Sequence, residues 1–211
     1  MTDLNKLKES IISGDLETSV QITKEAMVEK IDPQEIIQKY MIPSMDVIGD
    51  EFERNEIFVP ELLMAARAMK GSLELIRPLL VERGIEPLGR VVIGTVKGDL
   101  HDIGKNLVAS MLEGSGFEVD NLGVDVSSDR IVAAVQSNKI DIIALSALLT
   151  TTMPSMKTVI ETLKEAGLRD NVKVIIGGPA VTQEFCDQIG ADGYSENANS
   201  AVDLARKLLI A

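Results

Sequence analysis

Two hydrophobic patterns divide the chain. Up to about residue 83, apolar residues recur every three or four positions, which is typical of amphipathic helices. Beyond residue 89, short apolar runs rich in β-branched residues alternate with amphipathic stretches, and this predicts alternating strands and helices. The Gly- and Pro-containing stretch 84–89 separates the two patterns as a linker. We therefore expect a helical domain over 1–86 and an α/β domain over 87–211.

The helical part predicts a small bundle. Gly14 ends a first helix, and a second helix runs from an N-cap at Asp15 to about Lys30. Asp32 is followed by Pro at the first helical position, and another helix covers about 43–54. We expect Pro78 to kink or end the last helix. The apolar positions of that last helix follow steps of four and three: Leu62, Ala66, Met69, Leu73, Ile76 and Leu80.

The second part predicts five strand–helix units. Its strands are short and apolar on both faces, as in a buried parallel sheet. We expect an α/β fold with a five-stranded parallel, doubly wound, flavodoxin-like (Rossmann-like) sheet. The predicted strands cover 90–96, 117–122, 141–147, 173–177 and 192–195, and the helices cover 103–113, 128–138, 154–166, 182–189 and 198–209.

Charge and aromatic content argue against a nucleic-acid surface. The net charge is −12, and both the 1–86 part and the 87–211 part are acidic. Nucleic-acid binding needs a basic patch, and base stacking needs aromatic residues, which make up only 3% of this chain.

The N-terminus lacks the apolar core of a signal peptide, and no apolar run reaches membrane-spanning length. We expect a cytoplasmic protein without membrane partners. The single cysteine, Cys186, excludes an internal disulfide and is expected to be a small buried hydrophobe.

The only histidine, His101, lies in a loop directly after the first predicted strand. Ligands bind at the carboxyl ends of strands in open α/β sheets, and an imidazole there is a candidate metal ligand. Asp99 and Asp102 are both near enough to orient the ring. One histidine cannot build a structural zinc site, so the other ligands would come from a cofactor such as a tetrapyrrole or a corrinoid.

Two further loops follow predicted strands and are expected at the same edge of the sheet. One begins at Ser146 and continues through a run of threonines, and the other contains Gly177-Gly178. Small hydroxyl residues supply hydrogen bonds without bulk, and glycines let a bulky ligand approach the backbone. Taken singly, each loop is also compatible with an ordinary turn or helix cap.

These loops resemble the motifs of cobalamin-binding modules. Residues 98–104, Gly-Asp-Leu-His-Asp-Ile-Gly, are similar to the family's Asp-x-His-x-x-Gly signature. Ser146-Ala147-Leu148 resembles its Ser-x-Leu, and Gly177-Gly178 its Gly-Gly. Residues 58–70 resemble the helical cap domain of cobalamin-dependent methionine synthase. The whole chain resembles the free-standing corrinoid proteins of methyltransferase systems.

The resemblance implies a cobalamin or related corrinoid with His101 as lower axial ligand of cobalt. It also implies a relay from His101 through Asp99 to Ser146, and a slot for the nucleotide tail beside Gly177 and Gly178. The other cofactor-binding residues that it implies are Gly98, Leu100, Asp102, Ile103, Gly104, Leu148, Thr150 and Ala198 in the sheet domain, and Gln38, Phe52, Val59 and Leu62 in the helical domain. Phe52, Val59 and Leu62 are equally compatible with the bundle core.

The implied function is that of a methyl carrier. It accepts a methyl group on cobalt from a substrate-specific methyltransferase and delivers it to a second methyltransferase, whose acceptor is tetrahydrofolate or a thiol coenzyme. A reductive activase is the third implied partner, and the chain alone is not expected to be catalytic. The alternatives are a cobalamin-dependent sensor, a mutase subunit and a receiver-like domain without cofactor. Methanol, methylamines, betaines and aryl methyl ethers all remain open as methyl donors.

Overall fold

The computed structural model describes residues 2–210, which form two compact units. The first unit runs up to Leu88 and includes the short segment Glu113–Gly116. The second unit comprises Gly89–Leu112 and the chain from Phe117 onward. The hydrophobic pattern did not predict that residues 113–116 would group with the first unit.

The first unit is a helical bundle. Asp15 caps the second helix as predicted, accepting a hydrogen bond from the Thr18 amide at 3.0 Å. Asp32 makes no such bond at the next helix and instead pairs with Arg83 at 2.8 Å. The helices are α1 (Leu4–Ile12), α2 (Leu16–Val28), α3 (Pro33–Ile36), α4 (Ile42–Glu53) and α5 (Val59–Glu82).

The structure adds detail to two helical expectations. A π-helical segment, Ile37–Met41, joins α3 to α4, so the helix expected over 43–54 belongs to a longer helical run. Pro43, which has no amide hydrogen to donate, follows this wider turn. Pro78 does not end α5, which continues to Glu82. Pro78 and Glu74 are both exposed, so water can reach the Glu74 carbonyl that lost its amide partner.

The second unit confirms the expected fold. Its strands are β1 (Arg90–Thr95), β2 (Glu118–Asn121), β3 (Ile142–Ser146), β4 (Lys173–Gly177) and β5 (Gly193–Ser195). All pairings are parallel, and the order across the sheet is β2-β1-β3-β4-β5. The helices of this unit are α6 (Ile103–Gly114), α7 (Ser128–Ser137), α8 (Pro154–Glu165), α9 (Gln183–Ile189) and α10 (Ala198–Ile210).

The strands differ in burial. β1, β3 and β4 are almost wholly buried, as their β-branched sequences predict. β2 differs from the expectation of apolar faces because three of its four residues are exposed at the sheet edge. Cys186 is buried in the apolar core, as expected. Within residues 2–210, no helix combines the length and the hydropathy needed to cross a membrane.

Candidate functional site

The candidate site lies between β1 and β3, where the order in which strands are added to the sheet reverses. From β1 the chain crosses to β2 on one side, and from β3 it crosses to β4 on the other. The crevice at the carboxyl ends of two such strands is the usual ligand site of doubly wound folds. The loop after β1, residues 97–102, is called the His101 loop below. The loop after β3, residues 147–153, lies beside it.

His101 is held by Asp99. The imidazole Nδ1 lies 2.7 Å from Asp99 Oδ1, and the His101 amide donates to the same oxygen at 3.1 Å. The Asp99 side chain is fully buried, whereas 54% of the His101 side chain is exposed. Because Asp99 occupies Nδ1, a metal ion would bind the ring through Nε2. Asp102 accepts instead from the Asn106 side chain at 3.0 Å, so Asp99 is the orienting carboxylate of the two candidates.

The second oxygen of Asp99 faces the loop after β3. Asp99 Oδ2 accepts from the Leu148 amide at 2.8 Å, the Leu149 amide at 3.3 Å and the Thr152 hydroxyl at 2.7 Å. Burial by itself raises the pKa of the Asp99 carboxyl, but the hydrogen bonds from Thr152 and His101 outweigh it. The net pKa of Asp99 lies far below the ordinary range of an aspartate, so the carboxylate is ionised. It can then accept a hydrogen bond from His101 Nδ1, and this bond fixes the orientation of the imidazole ring.

The hydroxyl that reaches Asp99 belongs to Thr152 and not to Ser146. Ser146 ends β3, where its carbonyl accepts from the Val96 amide at 3.0 Å. Thr152 is buried and lies two residues before the start of α8. The threonine run was expected to supply hydrogen bonds at the site or, alternatively, to cap a helix, and Thr152 was not singled out as a partner of Asp99. A small hydroxyl residue near a strand end was the right signal, but the loop geometry was needed to choose between the candidates.

The glycine pair after β4 is required by the protein itself. Gly178 has φ +129°, and a Cβ atom there would collide with the Ala147 carbonyl oxygen. A Cβ at Gly177 would lie 3.0 Å from the Ser195 carbonyl oxygen. Close backbone packing at the strand ends thus accounts for Gly178 and constrains Gly177 without a ligand, and their role beside a nucleotide tail stays a prediction. The same holds for Ala198, which is buried at the start of α10.

The surface around His101 is apolar and open. Leu100, Ile103 and Leu149 are 71%, 84% and 42% exposed. Thr150 is exposed in the same loop as Leu148, and Gly104 has open space where a Cβ would be. No group of three His, Cys, Asp or Glu side chains within residues 2–210 could hold a metal ion. One oriented imidazole among exposed aliphatic side chains fits a flat, largely apolar group that carries its own metal.

The residues expected to bind cofactor in the helical unit differ in exposure. Leu62 is completely buried, which favours a place in the bundle core. Val59 is 37% exposed at the start of α5, Phe52 is partly buried, and Gln38 is exposed. A wholly buried leucine has no surface to offer a ligand, which favours the bundle-core alternative for Leu62 and leaves the other three as predictions.

Comparison with known families agrees with this site. A family described as a B12 binding domain matches residues 89–203, and a second family with the same description matches residues 3–77. The chain belongs to the B12-binding proteins. Together the two matches cover both structural units, and the first contains the entire His101 loop and the loops after β3 and β4.

Two relatives of this B12-binding protein align with it over nearly their full length, and a third chain shares its structure. A corrinoid protein of Desulfitobacterium hafniense strain Y51 is 41% identical over 99% of this chain and 98% of its own. Trimethylamine corrinoid protein 1 of Methanosarcina acetivorans is 44% identical, with 97% and 96% covered. A chain from the methanol:cobalamin methyltransferase complex of Methanosarcina barkeri superposes with a TM-score of 0.86 at 31% identity, with 98% and 79% covered.

These findings confirm three expectations. The chain resembles corrinoid proteins of methyltransferase systems, its cofactor is cobalamin or a related corrinoid, and its function is that of a corrinoid methyl carrier. A methyltransferase is therefore among its partners. The alternative of a cobalamin-dependent sensor gains no support from these relatives.

Proposed function

We propose that this B12-binding protein presents its corrinoid through His101 and carries a methyl group from a substrate-specific methyltransferase to an acceptor methyltransferase. When bound, the corrinoid supplies a cobalt centre that can accept and release a methyl group. The observation that carries the assignment of His101 is the 2.7 Å contact between its Nδ1 and Asp99 Oδ1. The carboxylate holds a proton on Nδ1 and leaves the lone pair of Nε2 for the metal.

Asp99 and Thr152 set the position of that proton. Asp99 Oδ2 accepts three hydrogen bonds, which keep the carboxylate ionised and the shared proton on the imidazole. The Thr152 hydroxyl has two acceptors within reach, Asp99 Oδ2 at 2.7 Å and the Leu149 carbonyl at 2.9 Å. Its single proton can point to only one of them. Thr152 can thus donate to an ionised Asp99, or turn to Leu149 and accept from a protonated one.

The partners follow from the relatives and the resemblance. Similar chains are named for trimethylamine and found in a methanol system, so we assign the choice of methyl donor to the partner methyltransferase. An acceptor methyltransferase and a reductive activase complete the proposed set. A cytoplasmic location, without nucleic-acid or membrane partners, remains the expectation from composition.

The proposal is tested by spin resonance of the cobalt(II) form, prepared with nitrogen-15 histidine. Because the chain has one histidine, any labelled ligand must be His101. We expect splitting from one histidine nitrogen in the wild type and none in His101→Ala. Splitting from the cofactor's own base in the wild type would contradict the assignment of His101.

A further inference from the structure

The segment at the carboxyl end of β2, residues 121–125, makes contacts with both ends of the His101 loop. It lies on the opposite side of β1 from β3, whose loop supplies the donors to Asp99 Oδ2. Its main chain is fixed to β1, because the Thr95 amide donates to the Gly123 carbonyl at 3.0 Å. It is called the 121–125 segment below.

Asp125 holds the first end of the loop. Its carboxylate Oδ1 accepts from the Gly98 amide at 2.7 Å, and its own amide donates to the Asp99 carbonyl at 3.0 Å. These bonds hold the backbone of the residue whose side chain contacts His101. Asp125 makes them in a left-handed conformation with φ 51°, which an aspartate adopts only at some cost.

Lys105 holds the other end. Its ammonium donates to Asn121 Oδ1 and to Asn106 Oδ1, both at 2.7 Å. The Asn106 side chain in turn donates to Asp102 Oδ2 at 3.0 Å, next to His101. A chain of side-chain contacts therefore runs from the 121–125 segment to the last residue of the loop.

The buried position of Lys105 is not explained by a contribution to the stability of the fold. The side chain is 3% exposed, its two direct partners are neutral amides, and it lies in the first turn of α6, where the helix dipole disfavours a cation. Burial lowers the pKa of Lys105, and Asp102 opposes that effect. Burying an ammonium without a direct carboxylate partner costs free energy of folding, more than the two hydrogen bonds to amides are expected to return. We therefore expect the role of Lys105 to be the positioning of the residues that it contacts.

We propose that Asp125 and Lys105 are positioning residues that fix the His101 loop from both ends through the 121–125 segment. Neither side chain makes a hydrogen bond to the His101 ring, so both act through the backbone and the Asp102–Asn106 contact. The inference deepens the proposed role of His101. The order of the loop in the apoprotein, however, can be measured whether or not His101 binds cobalt.

The first experiment measures amide hydrogen exchange in the full-length apoprotein. We expect Asp125→Gly and Lys105→Met to speed exchange about five- to tenfold at the His101 and Leu148 amides, both of which donate to Asp99. Amides in the middle of β3 and β4 should be unchanged. Unchanged exchange at His101 in both variants, or equal acceleration throughout the sheet, would overturn the proposal.

Matched variants separate positioning from general damage. Glycine at 125 keeps the left-handed backbone and removes only the carboxylate, whereas Asp125→Asn keeps an acceptor oxygen and should behave as the wild type. Lys105→Met removes a buried charge, so its thermal midpoint should stay equal or rise while the loop loosens. The control for charge removal is Lys157→Met, because Lys157 is an exposed lysine on α8.

A second readout uses the cobalt(II) form of the same variants. We expect the ratio of histidine-coordinated to uncoordinated cobalt to fall about 10- to 100-fold in Asp125→Gly and Lys105→Met. An unchanged ratio in both variants would overturn the positioning role. Absence of histidine coordination in the wild type would instead contradict the proposed role of His101, and the exchange result would then decide the inference about the loop.

Discussion

Thr152 Oγ1 lies 2.7 Å from Asp99 Oδ2, although the two residues are 53 positions apart in the chain. The contact joins the loop after β1 to the loop after β3, and both side chains are buried. Among the hydrogen bonds to Asp99, it lowers the pKa of the carboxyl most, against the effect of burial. The charge of the carboxylate beside His101 therefore depends on a residue from a different strand end.

Removing the Thr152 hydroxyl should destabilise the apoprotein. Thr152→Val keeps the shape and loses the hydrogen bond to a buried charge, at a cost of about 1.5–3 kcal/mol near pH 7. Thr152→Ser keeps the hydroxyl and serves as the control, with a smaller loss from the missing methyl group. Urea unfolding at pH 7 measures both, and equal free energies of unfolding for the two variants would contradict the role of the hydroxyl.

The cost of Thr152→Val should depend on pH in one direction. The pKa of Asp99 is lower in the folded than in the unfolded protein, so its charged contacts stabilise the fold fully above the ordinary aspartate pKa of about 4. That stabilisation is lost as the pH falls through the folded-state value. The difference between the valine and serine variants should therefore be constant from pH 6 to pH 8 and shrink below about pH 4. A difference that grows in acid would contradict this sign.

Asp99→Asn should disturb the imidazole tautomer. If the asparagine oxygen keeps the contacts to Leu148 and Thr152, its amide nitrogen faces His101 Nδ1 and donates to it. The ring proton then moves to Nε2, the nitrogen needed for cobalt. We expect histidine coordination in the cobalt(II) form to fall about 10- to 100-fold. Spin resonance with labelled histidine measures the change, and wild-type splitting in Asp99→Asn would reject the tautomer argument.

Gly178→Ala should lower the free energy of unfolding by more than the backbone strain of a positive φ accounts for. The added Cβ would collide with the Ala147 backbone, at a residue with φ +129°. Gly167 is the matched control, because its φ is +70° and a Cβ there would meet open space. We expect about 1 kcal/mol for Gly167→Ala and at least about 2 kcal/mol for Gly178→Ala, measured by urea unfolding. Similar costs at the two sites would show that the sheet edge can relax around the methyl group.

Leu62→Ala tests the assignment of this leucine to the bundle core. A fully buried leucine replaced by alanine costs about 2–5 kcal/mol. Val59→Ala, three residues earlier and partly exposed, should cost about 1 kcal/mol or less. Urea unfolding of the apoprotein gives both values. A small cost at Leu62 would return it to the set of ligand-facing candidates.

The order of strands and helices was predictable because each element has its own period of apolar and polar residues. β1, β3 and β4 are apolar β-branched runs, and the helices between them are amphipathic, so the parallel sheet follows from the local pattern. Pro78 does not end α5, because whether a proline ends a helix depends on solvent access to the preceding turn, which is a tertiary property.

The candidate site was predictable only in part. His101 and Asp99 are two residues apart, and their contact follows from a short motif. Thr152 and Asp125 reach Asp99 from other strand ends, and their contacts depend on the turn geometry of two separate loops. The sequence predicted the edge of the sheet where these residues meet, but it did not predict which hydroxyl would contact Asp99. Ser146 ends β3 and Thr152 lies in the loop that follows it. Both are small hydroxyl residues, and only the path of the loop decides which of them reaches Asp99.

The two free edges of the sheet also limit how copies of the protein can associate. An exposed strand edge is a template for pairing with another chain, and such pairing leads to aggregation. Here one edge is β2, where Glu118 and Asp120 are exposed, and the other is β5, which is only three residues long. With a net charge of −12, two molecules approaching edge to edge repel one another. Short or acidic strand edges and a strong net charge thus act together against extension of the sheet from one molecule to the next.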